Sequence, residues 1–509
     1  MTNNEYSNGK YTTETYDVFN FYGQMSPLHL CYVCLLEGIR PPSIESFNYI
    51  ELGCGYGIST NVFAAANPQG NFYGLDFNPK HISEANKISK KCQIKNVQFI
   101  EESFSKLGVL AESLPKFDFI ILHGVFTWVS HQNRQYIIEF IRKSLKDNGI
   151  VYVSYNCAVG WAAFLPIRNL MFEKFKNTSG CLEDRAIAAF QIAENLIHGK
   201  AMYLNTYPSL IEKIVSLKSV SINYFLHEFL NEEWNLFYQK DLTNEFKSAE
   251  ITYVGSTNII ENIENLYINP DGLNILNTTS DQSTRETFKE LLTDQLFRPD
   301  VYVRNAVRID KNQQFFGLKD IRLCLLKSTE EIDYSPRFNM GTLNLNRHFY
   351  QPIIKIISEN KMIRYEDFIN HESIKTLGTD SIFEVVNVLV ASSQLQILPP
   401  KDHPKESTVL INQFLLDLAS KENRLQILVS PVAATGIQCS HLYQMILLGE
   451  QRGEKDLAKF IYTIFQESGF QLIQNGKKIP KEAIFNHLQS EIELFREKRL
   501  PLIKALKLI

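Results

Sequence analysis

The sequence predicts an α/β fold whose parallel sheet is covered by helices on both faces. Between residues 47 and 156, short apolar segments alternate with segments that carry apolar residues at helical spacing. The short segments are apolar almost throughout, which is typical of strands buried on both faces. Strands that alternate with helices in this way indicate a parallel sheet.

Several predicted elements of this region end at residues that are typical of strand or helix boundaries. The first strand ends in a glycine, the helix after it stops at Pro68, and the second strand ends in an acid, Asp76. The last helix ends at Gly149, as a helix with a glycine cap does. The predicted strands are 47–53, 71–76, 96–102, 116–124 and 150–156, and the predicted helices are 56–68, 80–92 and 131–149.

Beyond residue 160 the chain becomes mostly helical, and two further strands are predicted at 251–257 and 300–309. Helical inserts therefore interrupt the sheet before its last strands. Three helix-like segments and a short strand-like end then follow a polar boundary at 318–345, which is the pattern of a winged-helix module. The predicted parts are a core with an N-terminal lid (1–160), a helical insert with the last core strands (161–318), the winged-helix-like module (340–405) and a C-terminal helical domain (406–509).

The composition is that of an ordinary globular protein with several domains. The 509 residues include 52 Lys and Arg, 56 Asp and Glu, and 44% hydrophobic residues, with a formal net charge of −4. This balance argues against a protein that acts mainly on nucleic-acid backbones. Eight cysteines, a polar N-terminus and apolar runs too short to span a bilayer predict a cytoplasmic protein without a membrane segment.

A glycine-rich turn joins the first strand to the first helix and reads Glu51-Leu52-Gly53-Cys54-Gly55-Tyr56-Gly57. In doubly wound folds a nucleotide-like ligand approaches the backbone at this turn. A dinucleotide fingerprint would place its third glycine at position 58, which is Ile58. The pattern E-x-G-x-G-x-G is instead typical of S-adenosylmethionine (AdoMet) sites, which need no phosphate-binding lysine.

Residues at the ends of the next two strands support this cofactor. Asp76 can accept hydrogen bonds from both ribose hydroxyls, and Phe77 can pack on the adenine ring. Glu102 and Ser103 end the third strand, where the exocyclic amine of adenine needs an acceptor. An acid at a strand end is often only a helix cap, so the prediction depends on the combination and its order.

Residues 47–156 resemble the class I AdoMet-dependent methyltransferases, whose sheet is Rossmann-like. The flanking segments resemble a narrower group, the methyltransferases with a methyltransferase regulatory domain, which includes rickettsial protein-lysine methyltransferases that modify an outer-membrane protein. The matching segments are Tyr16-Asp17, Tyr22, Ser26 to Leu30, Glu51 to Gly57, His123 to Val129, Ser154 to Asn156, Gly160-Trp161, Tyr224 to Leu230, Phe297 to Asp300, Ser430-Pro431 and Gly436-Ile437.

The resemblance implies a bacterial enzyme with AdoMet as its cofactor and a protein as its acceptor, such as an outer-membrane or surface protein before export. It also implies that an N-terminal arm with Tyr16, Tyr22 and Ser26 folds over the cofactor. We expect the inserts and the C-terminal region to bind the acceptor or a second copy of the chain, as in a homodimer.

The segment after the fourth strand normally faces the methyl group. Leu122 to Phe126 there contain neither the [N/D]-P-P-[Y/F] motif of base amino-methyltransferases nor the Pro-Cys of cytosine-C5 enzymes, and no acidic cluster suggests a metal. The remaining aromatic and polar residues suit a lysine amine, since an aromatic pocket lowers a lysine pKa and receives methylated ammonium. The predicted catalytic residues are His123, Tyr155 and Asn156, with His123 also at the cofactor, and the predicted substrate-binding residues are Trp128, Tyr155 and Trp161.

Two other functions remain open on the sequence alone. The first is a methyltransferase for a small molecule. The second is a DNA-binding regulator that uses the winged-helix-like module, although the segment from Asp380 to Gln396 contains no Lys or Arg. Trp128 and Trp161 could equally be core residues, and His123 a hydrogen-bonded histidine at a strand end.

Overall fold

The computed structural model describes residues 19–470, 472–474 and 477–509. Tyr16, predicted for the cofactor site, lies outside the described residues. The first part of the chain alternates strands and helices, but the helix predicted to end at Gly149 ends at Ser144. Leu145 already pairs with Phe117 of the preceding strand, so Gly149 lies within a strand and does not cap the helix. The elements of this first part are α1 (Pro27–Leu36), β1 (Phe47–Leu52), α2 (Ile58–Ala66), β2 (Gly70–Asp76), α3 (Pro79–Lys91), β3 (Val97–Glu101), α4 (Leu107–Ser113), β4 (Phe117–Leu122), α5 (His131–Ser144) and β5 (Leu145–Asn156).

Helices dominate the next part of the chain, and the last two strands of the main sheet occur within it. Its elements are α6 (Ala158–Trp161), α7 (Leu165–Asn177), α8 (Leu182–His198), α9 (Met202–Thr206), α10 (Ser209–Ser216), α11 (Ile222–Phe229), α12 (Gln239–Phe246), β6 (Ile251–Ser256), α13 (Glu264–Tyr267), α14 (Pro270–Thr278), α15 (Gln282–Thr293), β7 (Phe297–Arg304) and α16 (Lys311–Leu318).

One seven-stranded sheet organises this half of the molecule, in the order β3-β2-β1-β4-β5-β7-β6. Strands β1 to β5 are parallel, whereas β7 lies antiparallel between β5 and β6. The predicted Rossmann-like α/β fold is confirmed. The last strand covers 297–304 rather than 300–309, because its pairing with β5 begins at Asn156 and Phe297.

Strand β5 presents its residues alternately to the two faces of the sheet, as a strand must. Tyr152 packs in the same buried cluster as Tyr49 and Phe119. Tyr155 packs in the cluster on the other face, where its ring lies 6.1 Å from that of Phe237. Because of this alternation, only every second residue of β5 faces the same side of the sheet as Asn156 at its carboxyl end.

The remaining chain forms smaller sheets and helices. Its elements are β8 (Arg322–Leu325), β9 (Arg337–Phe338), β10 (Gly341–Thr342), α17 (Arg347–Asn360), β11 (Ile363–Arg364), α18 (Tyr365–Ile369), α19 (Thr379–Ala391), β12 (Leu395–Leu398), α20 (Glu406–Ala419), β13 (Ile427–Ser430), β14 (Thr435–Gln438), α21 (His441–Gln451), α22 (Leu457–Glu467), β15 (Ile473–Gln474), β16 (Lys477–Lys478), α23 (Ile484–Leu494) and α24 (Leu500–Ala505), with a π-helical turn at Phe495–Arg499 before α24.

The segment predicted as a winged-helix-like module contains α17, α18, α19 and β12. Its three-stranded sheet has the order β11-β8-β12, so its central strand comes from before residue 340. The winged-helix assignment and the four domain limits stay predictions. Within the described ranges, no helix is long and apolar enough to cross a membrane.

Candidate active site

A cavity of about 780 Å³ opens where the carboxyl ends of the parallel strands meet. The described part of the N-terminal arm (Phe19 to Gln24), the glycine turn and the helical part after β5 all contribute to its walls. The structure brings most of the predicted site residues together here. Those that line the cavity are Tyr22, Glu51, Gly53, Gly55, Asp76, Phe77, Glu102, Ser103, His123, Trp128, Asn156 and Trp161.

The glycine turn presents bare backbone to this cavity. Gly53 and Gly57 have φ angles of +77° and +63°, and a Cβ on either would lie 2.5 Å from a neighbouring side chain, Val125 or Phe99 respectively. Gly55, at φ +53°, has no atom of the described residues within 4 Å of the position of a Cβ. The turn therefore packs tightly behind Gly53 and Gly57 and leaves open space in front of Gly55. Gly57 itself supports the turn from behind and does not line the cavity.

Asp76 ties the end of β2 to the glycine turn. Its carboxylate accepts hydrogen bonds from the backbone N–H of Gly55 at 2.9 Å and of Asn78 at 2.8 Å, and Nδ1 of His81 lies 3.3 Å away. A carboxylate offers about four acceptor positions, so capacity remains for ligand hydroxyls. The sequence did not indicate His81, whose Nε2 has no hydrogen-bond partner among the described residues.

Glu51 is a second buried carboxyl group beside the turn. The hydroxyl of Thr60 donates a hydrogen bond to it, and burial raises the pKa of Glu51 to about 7. Ser26, in contrast, is not a cavity residue. Its hydroxyl accepts a hydrogen bond from the backbone N–H of His29 and caps α1. The prediction of Ser26 as a cofactor residue does not agree with this position.

His123 follows β4 and lies under the N-terminal arm. The ring of Tyr22 packs on its imidazole with a centroid distance of 3.7 Å, and Nδ1 shares a 2.8 Å hydrogen bond with the hydroxyl of Tyr152. Burial lowers the pKa of His123 to about 4, so the imidazole is neutral at pH 7. Tyr22, a residue of the predicted arm, therefore packs on the neutral imidazole of His123.

Tyr155 does not reach the cavity, contrary to its predicted catalytic and substrate-binding roles. It is 1% exposed, and its hydroxyl donates a 2.6 Å hydrogen bond to the carboxylate of Asp300. The physical reason is strand alternation, which turns Tyr155 away from the face that carries Asn156. Tyr152 and Ser154, at even spacing from Asn156, are the β5 residues that contact His123. The two-residue period of a strand, applied from Asn156, predicts that Ser154 and Tyr152 lie on the same face.

The residues predicted to bind or orient the acceptor contribute aromatic and amide groups to the cavity. The indole N–H of Trp161 donates to the carbonyl of Leu296 at 3.0 Å, and the ammonium of Lys213 lies 3.3 Å from the Trp161 ring centroid. The side-chain nitrogen of Asn156 is buried, and among the described residues it has no hydrogen-bond partner. Trp128 is 7% exposed and belongs to the core of the helical part as well as to the cavity wall.

The charge of the cavity is predominantly negative. Among the described lining residues, five carry a carboxyl group and Arg424 is the one Lys or Arg. Glu51, with a pKa of about 7, is only partly ionised at pH 7. Sequence reasoning did not assign Glu228, Glu233 or Arg424 to the site. Glu228 belongs to the Tyr224 to Leu230 segment that carried the family resemblance, which was the available signal. The five carboxyl groups are those of Glu51, Asp76, Glu102, Glu228 and Glu233.

Comparisons with known proteins agree with this architecture. Residues 45–219 match the family described as a methyltransferase domain, and residues 221–304 match a predicted methyltransferase regulatory domain. An uncharacterized protein of Synechocystis is 31% identical over 98% of this chain and 99% of its own length. The chain belongs to the methyltransferases with a methyltransferase regulatory domain.

A solved structure and a partial relative add to this picture. The structure of PKMT2 from Rickettsia typhi in complex with AdoHcy aligns with a TM-score of 0.68 at 23% identity, covering 94% of this chain and 97% of that chain. A malonyl-[acyl-carrier protein] O-methyltransferase of Ilyobacter polytropus is 30% identical over 22% of this chain and 40% of its own length. The first likeness extends over nearly the whole fold, and the second covers about a fifth of the chain.

The cofactor of this methyltransferase is AdoMet. The cavity fits it because bare backbone lies beside Gly55, and because the Asp76 carboxylate and the ring of Phe77 face the same space. The predicted cofactor and the methyltransferase class are confirmed.

Proposed function

We propose that this methyltransferase transfers methyl groups to the ε-amines of lysine residues in a protein acceptor. The observation that carries the proposal is the charge of the cavity, in which five carboxyl groups meet a single arginine among the described lining residues, with Glu51 only partly ionised at pH 7. A cavity lined by one sign of charge concentrates ligands of the opposite sign. Lysine enters as a cation, whereas an acidic acceptor would be repelled.

Aromatic groups on the acceptor side support the same acceptor. The ring of Trp161 is already in cation–π contact with an amine of this chain, that of Lys213. Burial lowers the pKa of Lys213 to about 8. A free lysine has a pKa of about 10.4, so its neutral form at pH 7 costs roughly 4–5 kcal/mol at 1.36 kcal/mol per pH unit. The same environment would reduce this cost for an acceptor lysine beside Trp128 and Trp161.

Each residue of the site then has a positioning role. When bound, AdoMet supplies a methyl group on a positively charged sulfur. Asn156 can orient the acceptor amine through its buried side-chain amide, and the neutral imidazole of His123 holds Tyr22 over the site. Because methyl transfer is an in-line displacement, alignment of donor and acceptor provides most of the catalysis.

A carboxylate acceptor, such as the one named for the malonyl-[acyl-carrier protein] relative, suits this cavity less well. Its negative charge would approach Glu228 and Glu233, which both line the cavity. A role in DNA binding has no support from charge either, because the charged residues of α19 are both acidic, Asp380 and Glu384. The cytoplasmic location, the homodimer and an outer-membrane or surface protein as acceptor stay predictions.

The experiment that tests the proposal is mass spectrometry of a methylated acceptor. The purified enzyme is incubated with isotopically labelled AdoMet and a cell lysate, with and without prior protease treatment. We expect protease-sensitive label on lysine side chains. Label confined to carboxylates, nucleic acid or small metabolites would contradict the proposal.

A matched pair of variants tests the role of charge. Glu228→Gln with Glu233→Gln should raise the KM for the acceptor about tenfold and leave AdoHcy binding nearly unchanged. Glu232→Gln is the control, since Glu232 is exposed and does not line the cavity. An equal effect of the control, or no effect of the double variant, would show that the carboxylates do not attract the acceptor.

A further inference from the structure

The C-terminal region reaches the cavity through one side chain. Arg424, between α20 and β13, lines the cavity, and its guanidinium carbon lies 4.4 Å from the ring centroid of Phe19 in the N-terminal arm. The ring of Phe19 stacks on Tyr56 of the glycine turn at 4.2 Å, with 20° between the planes. Phe19 is therefore enclosed between the turn that faces the cofactor and a residue from the opposite end of the chain.

A second aromatic residue of the arm is held in the same way. Phe21 packs on Phe63 of α2 with a centroid distance of 5.4 Å, and Gly436 of the β13–β14 hairpin is also adjacent to its ring. A Cβ at Gly436 would come within 2.8 Å of the Phe21 ring, so the hairpin backbone touches the arm directly. The arm thus lies between α2 and the C-terminal region along two successive aromatic positions.

The C-terminal region is also joined to α2 itself. Val62 and Ala66 of α2 belong to the same buried cluster as Leu428 and Ile437 of the hairpin. At the end of the helix, the side-chain amide of Asn67 donates a buried 2.9 Å hydrogen bond to the carbonyl of Ala434. Because α2 begins directly after the glycine turn, the C-terminal region supports the turn from behind.

We propose that the described part of the C-terminal region, from residue 406 onward, forms a structural part of the cofactor site, with Arg424 as the positioning residue that holds Phe19 to Tyr22 of the arm closed over it. The guanidinium attracts the face of the Phe19 ring and presses that ring onto Tyr56. Glu422 accepts a 2.9 Å hydrogen bond from Nε of Arg424 and keeps the guanidinium in place. The proposal concerns the cofactor and does not depend on the identity of the acceptor.

The test is the binding of AdoHcy to the full-length chain by calorimetry and stopped flow. Arg424→Ala should weaken AdoHcy binding about 3- to 10-fold, which is the range that a partly exposed cation–π contact provides. The loss should appear mainly as faster dissociation, because an arm that is held less firmly opens more often. Arg424→Lys should restore part of the affinity, since the cation remains.

Arg452→Ala provides the matched control. Arg452 also belongs to the C-terminal region, lies 5.9 Å from an aromatic ring, that of Phe460, and pairs with Asp417 at 3.5 Å. It does not line the cavity. The control should keep wild-type affinity and dissociation rate for AdoHcy, even where it shares a small loss of thermal stability with Arg424→Ala.

A double-mutant cycle with Phe19→Leu separates positioning from general stability. If Arg424 acts through Phe19, Arg424→Ala should weaken AdoHcy binding no further once Phe19 is replaced. Additive effects of the two substitutions would overturn the proposal. So would an unchanged dissociation rate in Arg424→Ala, or an equal change in Arg452→Ala.

Discussion

The two walls of the cavity are built in different ways. The cofactor wall, predicted to bind AdoMet, comes from three successive strand ends, and Gly57 packs behind it. It is formed by Glu51, Gly53, Cys54, Gly55, Tyr56, Asp76, Phe77, Glu102 and Ser103. The acceptor wall, named for its proposed role, is formed by Trp128, Asn156, Trp161, Glu228 and Glu233. Trp161, Glu228 and Glu233 come from the helical part after β5, whereas Trp128 and Asn156 follow or end strands of the sheet. The glycine turn of the first wall therefore tolerates little added volume at Gly53 and Gly57, and the second wall should respond to changes in individual polar groups.

The largest effect is expected where the cofactor wall has no space. Gly57→Ala would place a Cβ 2.5 Å from Phe99 and 2.8 Å from Ala85, at a φ of +63°. We expect the free energy of unfolding to fall by about 3 kcal/mol and AdoHcy binding to be lost. Chemical denaturation and calorimetry measure the two effects.

Gly108→Ala is the matched control, because Gly108 lies in α4 and none of the described residues has an atom within 4 Å of a Cβ there. This substitution should raise the free energy of unfolding by roughly 0.5–1 kcal/mol. Similar behaviour of the two variants would show that the glycine turn is not sterically restricted.

Asp76 tests whether the carboxylate on the cofactor wall also binds ligand. Asp76→Asn removes a charged acceptor from the Gly55 and Asn78 N–H groups and from the cavity. AdoHcy affinity should fall by about 2 kcal/mol in calorimetry. Asp118→Asn is the control, since Asp118 accepts from the backbone of Asn48 outside the cavity. Unchanged AdoHcy affinity in Asp76→Asn would remove this residue from the cofactor wall.

His123 lies between the two walls, and its protonation should make the stability of the fold depend on pH. Its pKa is about 4 in the folded chain and about 6.5 when unfolded, so the unfolded state binds more protons between these values. The stability contributed by His123 is complete above pH 6.5 and is lost as the pH falls towards 4. Relative to His123→Asn, the wild type should lose on the order of 2 kcal/mol over this range. Parallel pH profiles of the two proteins would show that His123 is not buried as a neutral ring.

The smallest effects are expected for substitutions at two neighbouring residues of β5, Asn156 and Tyr155. Asn156→Ala should lower kcat about tenfold with little change in AdoHcy binding, because an orienting group acts on the reacting geometry. Tyr155→Phe should instead lower the melting temperature, since it removes the 2.6 Å hydrogen bond to buried Asp300, with little change in kcat. If Tyr155→Phe were the variant with the lower kcat, the assignment of the two faces of β5 would be wrong.

Several features of the cofactor wall could be predicted because they depend on local order along the chain. The first three strands were recognisable from continuous apolar runs, and parallel strands place their carboxyl ends at one edge. Glu51, Asp76 and Glu102 therefore had to come close to the glycine turn, whatever the rest of the chain did. The rejection of Ile58 as a dinucleotide glycine required only the spacing of the motif.

The sequence by itself thus determined the sheet, the glycine turn and the cofactor. Tertiary structure decided the rest, because contacts between distant segments leave no periodic signal. The pleat of β5 placed Asn156 at the cavity and Tyr155 against Asp300, although the two residues are adjacent. The packing of the C-terminal region on α2 brought Arg424 to Phe19 across about four hundred residues of chain.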